Sequence, residues 1–394
     1  MSYDTVINKL KKDWNCAGLM DGAHAARGEK IPFSSPLLNH ATYGGVPRGR
    51  ITEFYGEPGG GKTTSSIDIC KNGKAIFDAE YEEELSKLRD AFAQGSKQAS
   101  AELQDLEDRG PKKVLYVDLE HSFDEAWAET LGVSLNDDSD IQIMQPPDVS
   151  AEDILQAVQS LIETGEIGLL VLDSIPSLVP KSELEKKYGE RTVAALAGLL
   201  TVFCRKILPV LTRYDCTMIL INQTRDNMDN PYVIKTPGGN AIKFYASLRM
   251  YFRIGPPIDF LGNELPQSSE NPAGYKINVK ITKQKTAPFD RKIASYHLMA
   301  NSGIRVDMDL ASLAVNKYQI IKKSGAWYTI CNPETKEPLE DAEGKLLRVQ
   351  GMAKVFDYLQ QNTEYFNQLR AYILKDIEGE DANIIESEEG SDVN

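Results

Sequence analysis

The chain has 394 residues, of which 41% are hydrophobic and 26% charged, a composition ordinary for a globular protein with one large core and small appendages. Its five cysteines are scattered, with no Cys-x-x-Cys pair and no Cys/His cluster, which argues against structural zinc or a disulfide framework and favours free thiols in a reducing cytoplasm. No secretion signal is expected, no apolar run is read as long enough to cross a bilayer, and the net charge of −14 by itself disfavours nucleic acid as a partner.

The first 35 residues contain a short amphipathic stretch. Ile7, Leu10 and Trp14 share one helical face, and a polar segment with glycine and two prolines follows. Since so short a helix cannot bury an apolar stripe alone, we expect residues 1–35 to form an N-terminal docking segment that contacts the main domain or a neighbouring subunit.

Residues 36–310 alternate strand-like apolar runs with helical patterns. The runs are ITEFY (51–55), VLYVDL (114–119), IGLLVLD (167–173), CTMILIN (216–222), LRMYFRI (248–254) and INVKI (277–281). Continuous apolar strands that alternate with helices predict an α/β fold with a mostly parallel central sheet flanked by helices. Nucleotides bind such sheets at the carboxyl ends of the strands.

The segment 56–63 reads GEPGGGKT and fits the phosphate-binding pattern G-x-x-x-x-G-K-[ST]. In such a loop the backbone N–H groups close around phosphate oxygens, Lys62 adds a positive charge for the β- and γ-phosphates, and the Thr63 hydroxyl is placed to bind Mg²⁺. A glycine-rich turn that binds nothing is the alternative, but the strand before it and the helix after it favour phosphate binding. The predicted nucleotide contacts are Glu57, Pro58, Gly59, Gly60, Gly61, Lys62, Thr63 and Thr64.

Residues 71–110 are highly charged, and Tyr81, Leu85, Leu88 and Phe92 recur at helical spacing. This pattern predicts an inserted helical excursion between the first helix and the second strand. A structural role is favoured, and contact with a partner is the weaker alternative.

Carboxylates stand at the ends of two buried runs. Asp173 ends IGLLVLD, where it is placed to hold a magnesium-bound water together with Thr63, and a helix cap is the alternative. Glu120 follows VLYVDL and could orient the water that attacks the γ-phosphorus, but Asp118 points to the same face of an ideal strand, so both carboxylates are eligible. Trp127 is predicted either to pack in the core or to stack on adenine.

Two polar stretches suit contacts with DNA. Gln223 comes just past a strand, where its amide could contact the γ-phosphate and report its presence to residues 224–237. That stretch is rich in glycine, asparagine and proline, and a mobile surface loop is the alternative. Its candidate contacts with phosphates and unstacked bases are Arg225, Met228, Tyr232, Val233 and Lys235. The second stretch, 181–193, is basic in its second half, which includes Arg191, and a solvated helix face is its alternative.

The C-terminal part divides in two. Residues 311–375 predict a small α/β domain, with GAWYTI (325–330) as a strand and a helical pattern from about Met352 to Leu374. Residues 376–394 hold eight acidic residues and no Lys or Arg, which predicts an acidic disordered tail. The tail is expected to be solubilising, and competition with DNA for a basic site is the sharper alternative.

Together these motifs resemble those of one family, the bacterial RecA recombinases and their phage-encoded relatives. GEPGGGKTT resembles the family's phosphate loop, YVDLEHSFDEAWAETLGV its catalytic-glutamate segment, and LLVLDSIPSLVPKSELE its magnesium-aspartate strand. INQTR and GGNAIKFYASLR resemble the switch glutamine and the far edge of the second DNA loop, VKITKQKTAPF the interface lysine motif, and GAWYTI the start of the C-terminal domain. The motifs come in family order between roughly residues 36 and 375, and GGNAIKFYAS is highly specific.

The resemblance assigns roles at the nucleotide site. It gives Glu120 the water-activating role and makes Gln223 the γ-phosphate sensor. It places Lys283 and Lys285 on the γ-phosphate of the neighbouring subunit, so that hydrolysis would depend on assembly.

Further positions match base and DNA contacts of the family. Asp124 and Trp127 match adenine-contacting positions, with Trp in place of the more usual Tyr. Residues 181–193 match the first DNA loop and 224–237 the second, which is slightly shorter than usual, so that Met228, Tyr232 and Val233 all remain eligible to separate base triplets. The positions that match DNA-phosphate contacts are Thr201, Arg205, Gly238, Gly239 and Asn240.

The resemblance implies an ATP-dependent homologous DNA recombinase, with ATP and Mg²⁺ as cofactors and a DNA-dependent ATPase activity. It would form a helical filament on single-stranded DNA, search for homology and exchange strands. The implied partners are single-stranded DNA, homologous double-stranded DNA and further copies of the chain, with single-strand-binding and loader proteins as additional candidates and no membrane. The implied location is the cytoplasm, in a bacterial cell or its nucleoid, or in a host cell if the protein is phage-encoded. A DNA motor or helicase on the same fold and a non-catalytic DNA-binding filament scaffold are the alternatives.

Overall fold

A nine-stranded sheet forms the centre of the protein. The structure is a computed structural model that describes residues 5, 9, 29–135, 141–187, 195–224, 235–341 and 343–389, with side chains described up to residue 377. The strands are β1 (Lys30–Ile31), β2 (Val46–Pro47), β3 (Ile51–Gly56), β4 (Lys113–Asp118), β5 (Ile141–Met144), β6 (Ile167–Asp173), β7 (Thr217–Gln223), β8 (Leu248–Ile258), β9 (Gly274–Gln284), β10 (Ile293–Met299), β11 (Gly303–Ile304), β12 (Ile321–Ser324), β13 (Trp327–Ile330) and β14 (Arg348–Gln350). The order across the central sheet is β11-β10-β9-β8-β3-β7-β6-β4-β5.

The sheet has a parallel half and an antiparallel half. Neighbours from β8 through β3, β7, β6 and β4 to β5 pair in parallel. The pairs β8–β9, β9–β10 and β10–β11 are antiparallel. The predicted α/β class with a mostly parallel central sheet is therefore confirmed.

Helices cover both faces of the sheet. They are α1 (Pro36–Thr42), α2 (Lys62–Ala93), α3 (Lys97–Arg109), α4 (Glu125–Thr130), α5 (Ala151–Glu163), α6 (Lys181–Leu184), α7 (Ala195–Tyr214), α8 (Ala241–Tyr245), α9 (Val306–Asn316), α10 (Met352–Gln361) and α11 (Thr363–Glu389). Leu169 and Val171 of β6 pack in one core with residues of α2, and Leu170 and Leu172 pack in a second core with residues of α5 and α7. All seven residues of β6 are buried, as expected for a strand covered on both faces.

Helix α7 meets the length and hydropathy of a membrane span, so the prediction that the chain has no such run is wrong on composition. Its buried residues recur at helical spacing on the side that packs against the sheet, and they are Leu200, Phe203, Cys204, Ile207 and Leu211. Arg205 and Lys206 are exposed. This distribution is that of an amphipathic helix docked on a protein core.

The excursion predicted at 71–110 is helical, but it is not separate from the first helix. Helix α2 begins at the phosphate loop and continues unbroken for 32 residues to Ala93, and α3 then packs back along it. Phe77 is the last residue of α2 in the core of the sheet, and the hairpin beyond it buries Leu85, Ala99 and Leu106.

Arg48 fixes the base of this hairpin. Its guanidinium group donates hydrogen bonds to Glu80 on α2 and to Asp215 just before β7, the latter at 2.7 Å. The same group lies 5.5 Å from the centre of the Phe77 ring. The hairpin is therefore tied to the sheet at the edge where the strands begin.

The segment before α1 packs on its own chain. β1 pairs with β2, and Ile31 and Phe33 are buried in the first core. The amphipathic stripe predicted at Ile7, Leu10 and Trp14 lies outside the described residues.

The C-terminal unit joins a three-stranded antiparallel sheet, β12-β13-β14, to α9, α10 and α11. The boundary predicted between residues 310 and 311 falls inside α9, which spans Val306–Asn316. Met308 and Leu310, which precede that boundary, already pack in the C-terminal core. Helix α11 continues to Glu389, so the tail predicted to begin at residue 376 starts within a helix. Ile377, which is 1% exposed, extends the buried stripe of Leu369 and Ile373 by one more turn.

Four of the five cysteines lie in the described ranges. Cys70, Cys204, Cys216 and Cys331 are buried and form no disulfide with one another, and burial raises the pKa of each thiol. Thiols in this state are unreactive.

Candidate nucleotide site and adjoining DNA loop

The phosphate loop connects the end of β3 to the first residue of α2, at the carboxyl edge of the parallel strands. Gly59 and Gly61 adopt positive φ angles of 70° and 87°, which favour glycine. A Cβ atom on Gly61 would lie 2.5 Å from the hydroxyl of Tyr296, so the loop also needs glycine there for space. The first N–H groups of α2 have no partner within the helix and form a binding site for anions.

Lys62 is 8% exposed and lies within the loop. Its Nζ donates hydrogen bonds to the carbonyl oxygens of Gly56 (3.1 Å) and Glu57 (2.7 Å). Burial lowers the pKa of Lys62, and the nearby carboxylates of Asp173 and Glu120 oppose that shift. Phosphate oxygens would offer this ammonium group stronger, charged acceptors than the two carbonyls.

The two residues predicted to hold Mg²⁺ lie in contact. Thr63 Oγ1 donates a hydrogen bond to Asp173 Oδ2 at 3.0 Å, and Tyr116 Oη donates to the same oxygen at 2.6 Å. Burial raises the pKa of Asp173, while these two hydrogen bonds oppose the rise. A carboxylate and a hydroxyl at this spacing fit the oxygen ligands that Mg²⁺ prefers. Sequence reasoning missed Tyr116, although it is the one polar side chain in the middle of its strand.

Glu120 and Gln223 are also in contact. Gln223 Nε2 donates a hydrogen bond to Glu120 Oε1 at 3.0 Å, and the hydroxyl of Ser174 donates to the same oxygen. Glu120 follows β4, Gln223 ends β7, and Ser174 follows β6, which lies between them in the sheet. The residues predicted to activate water and to sense the γ-phosphate therefore form one hydrogen-bonded group beside Asp173.

Asp118, the other candidate carboxylate, is fully engaged in hydrogen bonds to the loop that follows β4 and to Gln145. It is 1% exposed, its Oδ1 accepts from the backbone N–H of Glu120 (3.2 Å), and its Oδ2 accepts from the N–H of Phe123 (3.0 Å) and the amide of Gln145 (2.8 Å). Strand β4 ends at Asp118, so the chain turns before Glu120 and the two carboxylates do not share an environment. This geometry favours Glu120 as the carboxylate available to a substrate.

Trp127 and Asp124 lie at the start of α4, close to the phosphate-binding helix. Trp127 Nε1 donates a hydrogen bond to Thr64 Oγ1 at 3.2 Å, and its ring is partly buried against the first core. Asp124 caps α4 by accepting from the N–H of Trp127 at 3.0 Å. Trp127 is thus partly packed in the core, and stacking on adenine stays a prediction.

Several predicted DNA contacts meet where residues 238–240 pack on the start of α7. A Cβ atom on Gly238 would lie 2.4 Å from Leu200, and one on Gly239 would lie 2.9 Å from Ala197. Thr201 Oγ1 donates to the carbonyl of Ala197 at 2.7 Å. Both glycines have positive φ angles, and Asn240 follows them as the N-cap residue that precedes α8.

The other predicted DNA contacts do not cluster at this place. Arg205 is exposed one turn beyond Thr201 on α7, and Lys235 is exposed at the end of the second loop. Five predicted contacts lie outside the described residues, and they are Arg191, Arg225, Met228, Tyr232 and Val233.

Lys283 and Lys285 contact the end of α8 in the same chain. Lys283 Nζ donates to the carbonyl oxygens of Lys243 and Phe244, the latter at 2.8 Å, and Lys285 Nζ donates to that of Phe244 at 3.1 Å. Burial lowers the pKa of Lys283 to about 8, and the neighbouring charge of Lys285 adds to the shift. The phenyl ring of Phe244 is 70% exposed beside them. Two lysines and an exposed aromatic ring thus lie together on one surface.

Comparisons with known proteins agree with the motifs. A family model described as the RecA N-terminal domain matches residues 97–305. Protein RecA of Thermus aquaticus is 32% identical over 351 residues, which cover 88% of this chain and 84% of that protein. Protein RecA of Chlorobaculum parvum is 32% identical over 329 residues, covering 82% and 81%, and that of Clostridium perfringens strain 13 is 33% identical over 290 residues, covering 73% and 68%.

Proposed function

The chain belongs to the RecA family of ATP- and DNA-binding recombination and repair proteins, which confirms the family predicted from its motifs, and from this membership we propose that it is an ATP-dependent recombinase. In this proposal it assembles as a helical filament on single-stranded DNA, finds a homologous duplex and exchanges strands. The observation that carries the proposal is the hydrogen bond between Glu120 and Gln223. It joins the residue proposed to activate water to the residue that precedes the proposed second DNA loop.

The nucleotide-binding role rests on the loop around Lys62. Lys62 and the first N–H groups of α2 would bind the β- and γ-phosphates, and Thr63 and Asp173 would hold Mg²⁺, directly and through water. The metal ion would supply charge neutralisation on the phosphate oxygens. Trp127 and Asp124 are proposed to contact adenine, because they begin the helix that lies against Thr64.

Glu120 is proposed to orient the attacking water, and Gln223 to sense the γ-phosphate. The two side chains now share one hydrogen bond, so an amide that turns toward a γ-phosphate must leave the carboxylate. That exchange would free an acceptor on Glu120 for water and would shift the first residue of the DNA loop. A single side-chain movement would thereby couple nucleotide binding to DNA binding.

Lys283 and Lys285 are proposed to act on the neighbouring subunit. Their ammonium groups bind carbonyls of α8 within the single chain, and a γ-phosphate across a subunit interface would be a stronger, charged acceptor. Hydrolysis would then require a neighbour, which makes it a property of the filament.

DNA is proposed to bind along residues 238–240, the start of α7 and the two flanking loops. The backbone N–H groups of Gly238 and Gly239 and the hydroxyl of Thr201 suit phosphate oxygens, with charge from Arg205 and Lys235. Contacts to the DNA backbone leave the bases free for pairing. Because those contacts are made to charged phosphates, binding should weaken steeply as the salt concentration rises. The protein is expected to work in the cytoplasm of a bacterial or phage-infected cell, with single-strand-binding and loader proteins as candidate partners.

The test is joint-molecule formation between single-stranded DNA and a supercoiled duplex, with ATP and Mg²⁺. Joint molecules with a homologous duplex and none with a heterologous one are expected. Hydrolysis stimulated by DNA without joint molecules would favour a motor on the same fold. Filaments that neither hydrolyse ATP nor exchange strands would favour a scaffold, and either result would contradict the proposal.

A further inference from the structure

A charged group is buried under the carboxyl edge of the sheet, outside all the roles assigned above. Glu53 in the middle of β3 is 0% exposed. Its Oε2 accepts a hydrogen bond from Arg249 Nε on β8, and its Oε1 accepts from Asn222 Nδ2 on β7 at 3.0 Å. Removing a carboxylate from water carries a large cost that only close partners offset, so all three side chains depend on one another.

Asn222 holds both ends of the second DNA loop. Its Oδ1 accepts from the backbone N–H of Gln223 at 3.0 Å, and its Nδ2 also donates to the carbonyl of Pro237 at 3.2 Å. One buried amide therefore contacts the residue that precedes residues 224–237 and the last residue of that segment. Residues 225–234 between them lie outside the described part of the chain.

Arg249 extends the group toward the strand that carries the interface lysines. Its guanidinium lies 4.5 Å from the centre of the Tyr55 ring, and Tyr55 Oη donates to Thr282 Oγ1 at 3.0 Å. Thr282 Oγ1 donates in turn to the backbone carbonyl of Arg249 at 3.2 Å. Thr282 directly precedes Lys283 on β9, so the same group fixes the position of that strand.

We propose that Glu53, Asn222 and Arg249 form a positioning unit that couples the nucleotide site to DNA binding. The unit holds the backbone of Gln223 and of Pro237 still while the Gln223 side chain changes partners. Because the backbone is held, a movement of the Gln223 side chain would change the position of the DNA loop and would not shift strand β7 as a whole. This inference rests on the proposed function, and the three residues are positioning residues because they lie beneath the site.

The test compares Asn222→Ala with a matched control on the neighbouring strand. The control is Thr52→Val, because Thr52 is buried beside Glu53 and its hydroxyl has no hydrogen-bond partner among the described residues. Asn222→Ala keeps the Glu53–Arg249 ion pair and removes the hydrogen bonds of Asn222 to Glu53, Gln223 and Pro237. If Asn222→Ala fails to fold, Asn222→Ser is the second variant, since its shorter side chain also loses the carbonyl of Pro237.

Two readouts are needed. Hydrogen exchange at the amide of Gln223 should become about tenfold faster in Asn222→Ala, because that amide loses its acceptor. The stimulation of ATP hydrolysis by single-stranded DNA should fall by about tenfold, while hydrolysis without DNA stays within about twofold of wild type. Thr52→Val should match wild type in both readouts.

Unchanged exchange at Gln223, or a lower unfolding temperature with full DNA stimulation, would overturn the inference and leave a purely structural role for the group. A wild-type protein that hydrolyses ATP without any response to DNA would overturn the proposed function and this coupling together. A responsive wild type with an equally responsive Asn222→Ala would overturn the coupling alone.

Discussion

Two neighbouring carboxylates should respond in opposite ways to the loss of one negative charge. In Glu120→Gln the side chain keeps its shape, and its remaining carbonyl oxygen still accepts from Gln223 and Ser174. The folded structure should therefore persist, while the charge proposed to orient and deprotonate water is lost. General-base catalysis of this kind contributes about 10²- to 10⁴-fold, or roughly 3–5 kcal/mol of the activation barrier.

In Asp118→Asn the loss should fall on stability. Two carboxylate oxygens accept three N–H groups, from Glu120, Phe123 and Gln145, and an asparagine offers one oxygen and one NH₂. At least one buried donor must then face another donor, which costs about 1–3 kcal/mol. We expect ATP hydrolysis per folded molecule to be much less affected than in Glu120→Gln.

The assay measures single-turnover ATP hydrolysis on single-stranded DNA together with urea unfolding for both variants. Glu120→Gln should bind ATP and form filaments but hydrolyse slowly, with an unchanged unfolding midpoint. Hydrolysis at the wild-type rate in Glu120→Gln would refute the assigned role. Loss of hydrolysis in Asp118→Asn without loss of stability would show that the wrong carboxylate had been chosen.

Three further outcomes are expected. Lys62→Ala should abolish nucleotide-dependent filament formation, seen by electron microscopy, and retained strand exchange would contradict the nucleotide site. Because the pKa of Lys283 is lowered to about 8, its charge is present below that pH and lost above it. ATP-dependent assembly should thus weaken as pH rises from about 7 to 9, and Lys283→Arg should remove this dependence; a pH-independent wild type would contradict the role of the charge. Gly168→Ala should lower the free energy of unfolding by about 1–3 kcal/mol in urea titrations, since its Cβ would lie 2.5 Å from the buried ring of Phe77, and an unchanged midpoint would show that the ring can move.

Contacts between site residues that are far apart in the sequence could be predicted from one rule about parallel sheets. The carboxyl ends of neighbouring strands meet at one edge, so Thr63 and Asp173 were expected to be close, and they share a 3.0 Å hydrogen bond. The choice between Asp118 and Glu120 could not follow from strand alternation, because β4 ends at Asp118 and the alternation ends with it. The contact of Lys283 with carbonyls of α8 was likewise unpredictable, since it depends on how two separate segments pack.

Two predicted element boundaries differ from the structure because the helix continues past the point where the sequence becomes highly charged. The acidic residues from 376 onward favoured a disordered tail, yet Ile377 lies four residues after Ile373 and keeps the apolar stripe of α11 in the core. The same cause hid the length of α2, because the charged surface beyond Phe77 looked like a break in the helix. In α11 one buried side chain per turn continues the stripe as far as Ile377, whereas α2 buries only Leu85 beyond Phe77 and has α3 packed along it.

The length of α2 also decides where the hairpin lies relative to the sites. At about 1.5 Å per residue its 32 residues span roughly 48 Å, whereas the seven residues of β6 span only about 23 Å. The helix starts at the nucleotide edge, and Arg48 ties it to Asp215 at the opposite edge, where the strands begin. The hairpin therefore projects from the edge distant from both Lys62 and Gly238. A protein bound to the hairpin would lie away from Lys62 and Gly238, yet it would contact the same continuous helix that begins with Lys62 and Thr63.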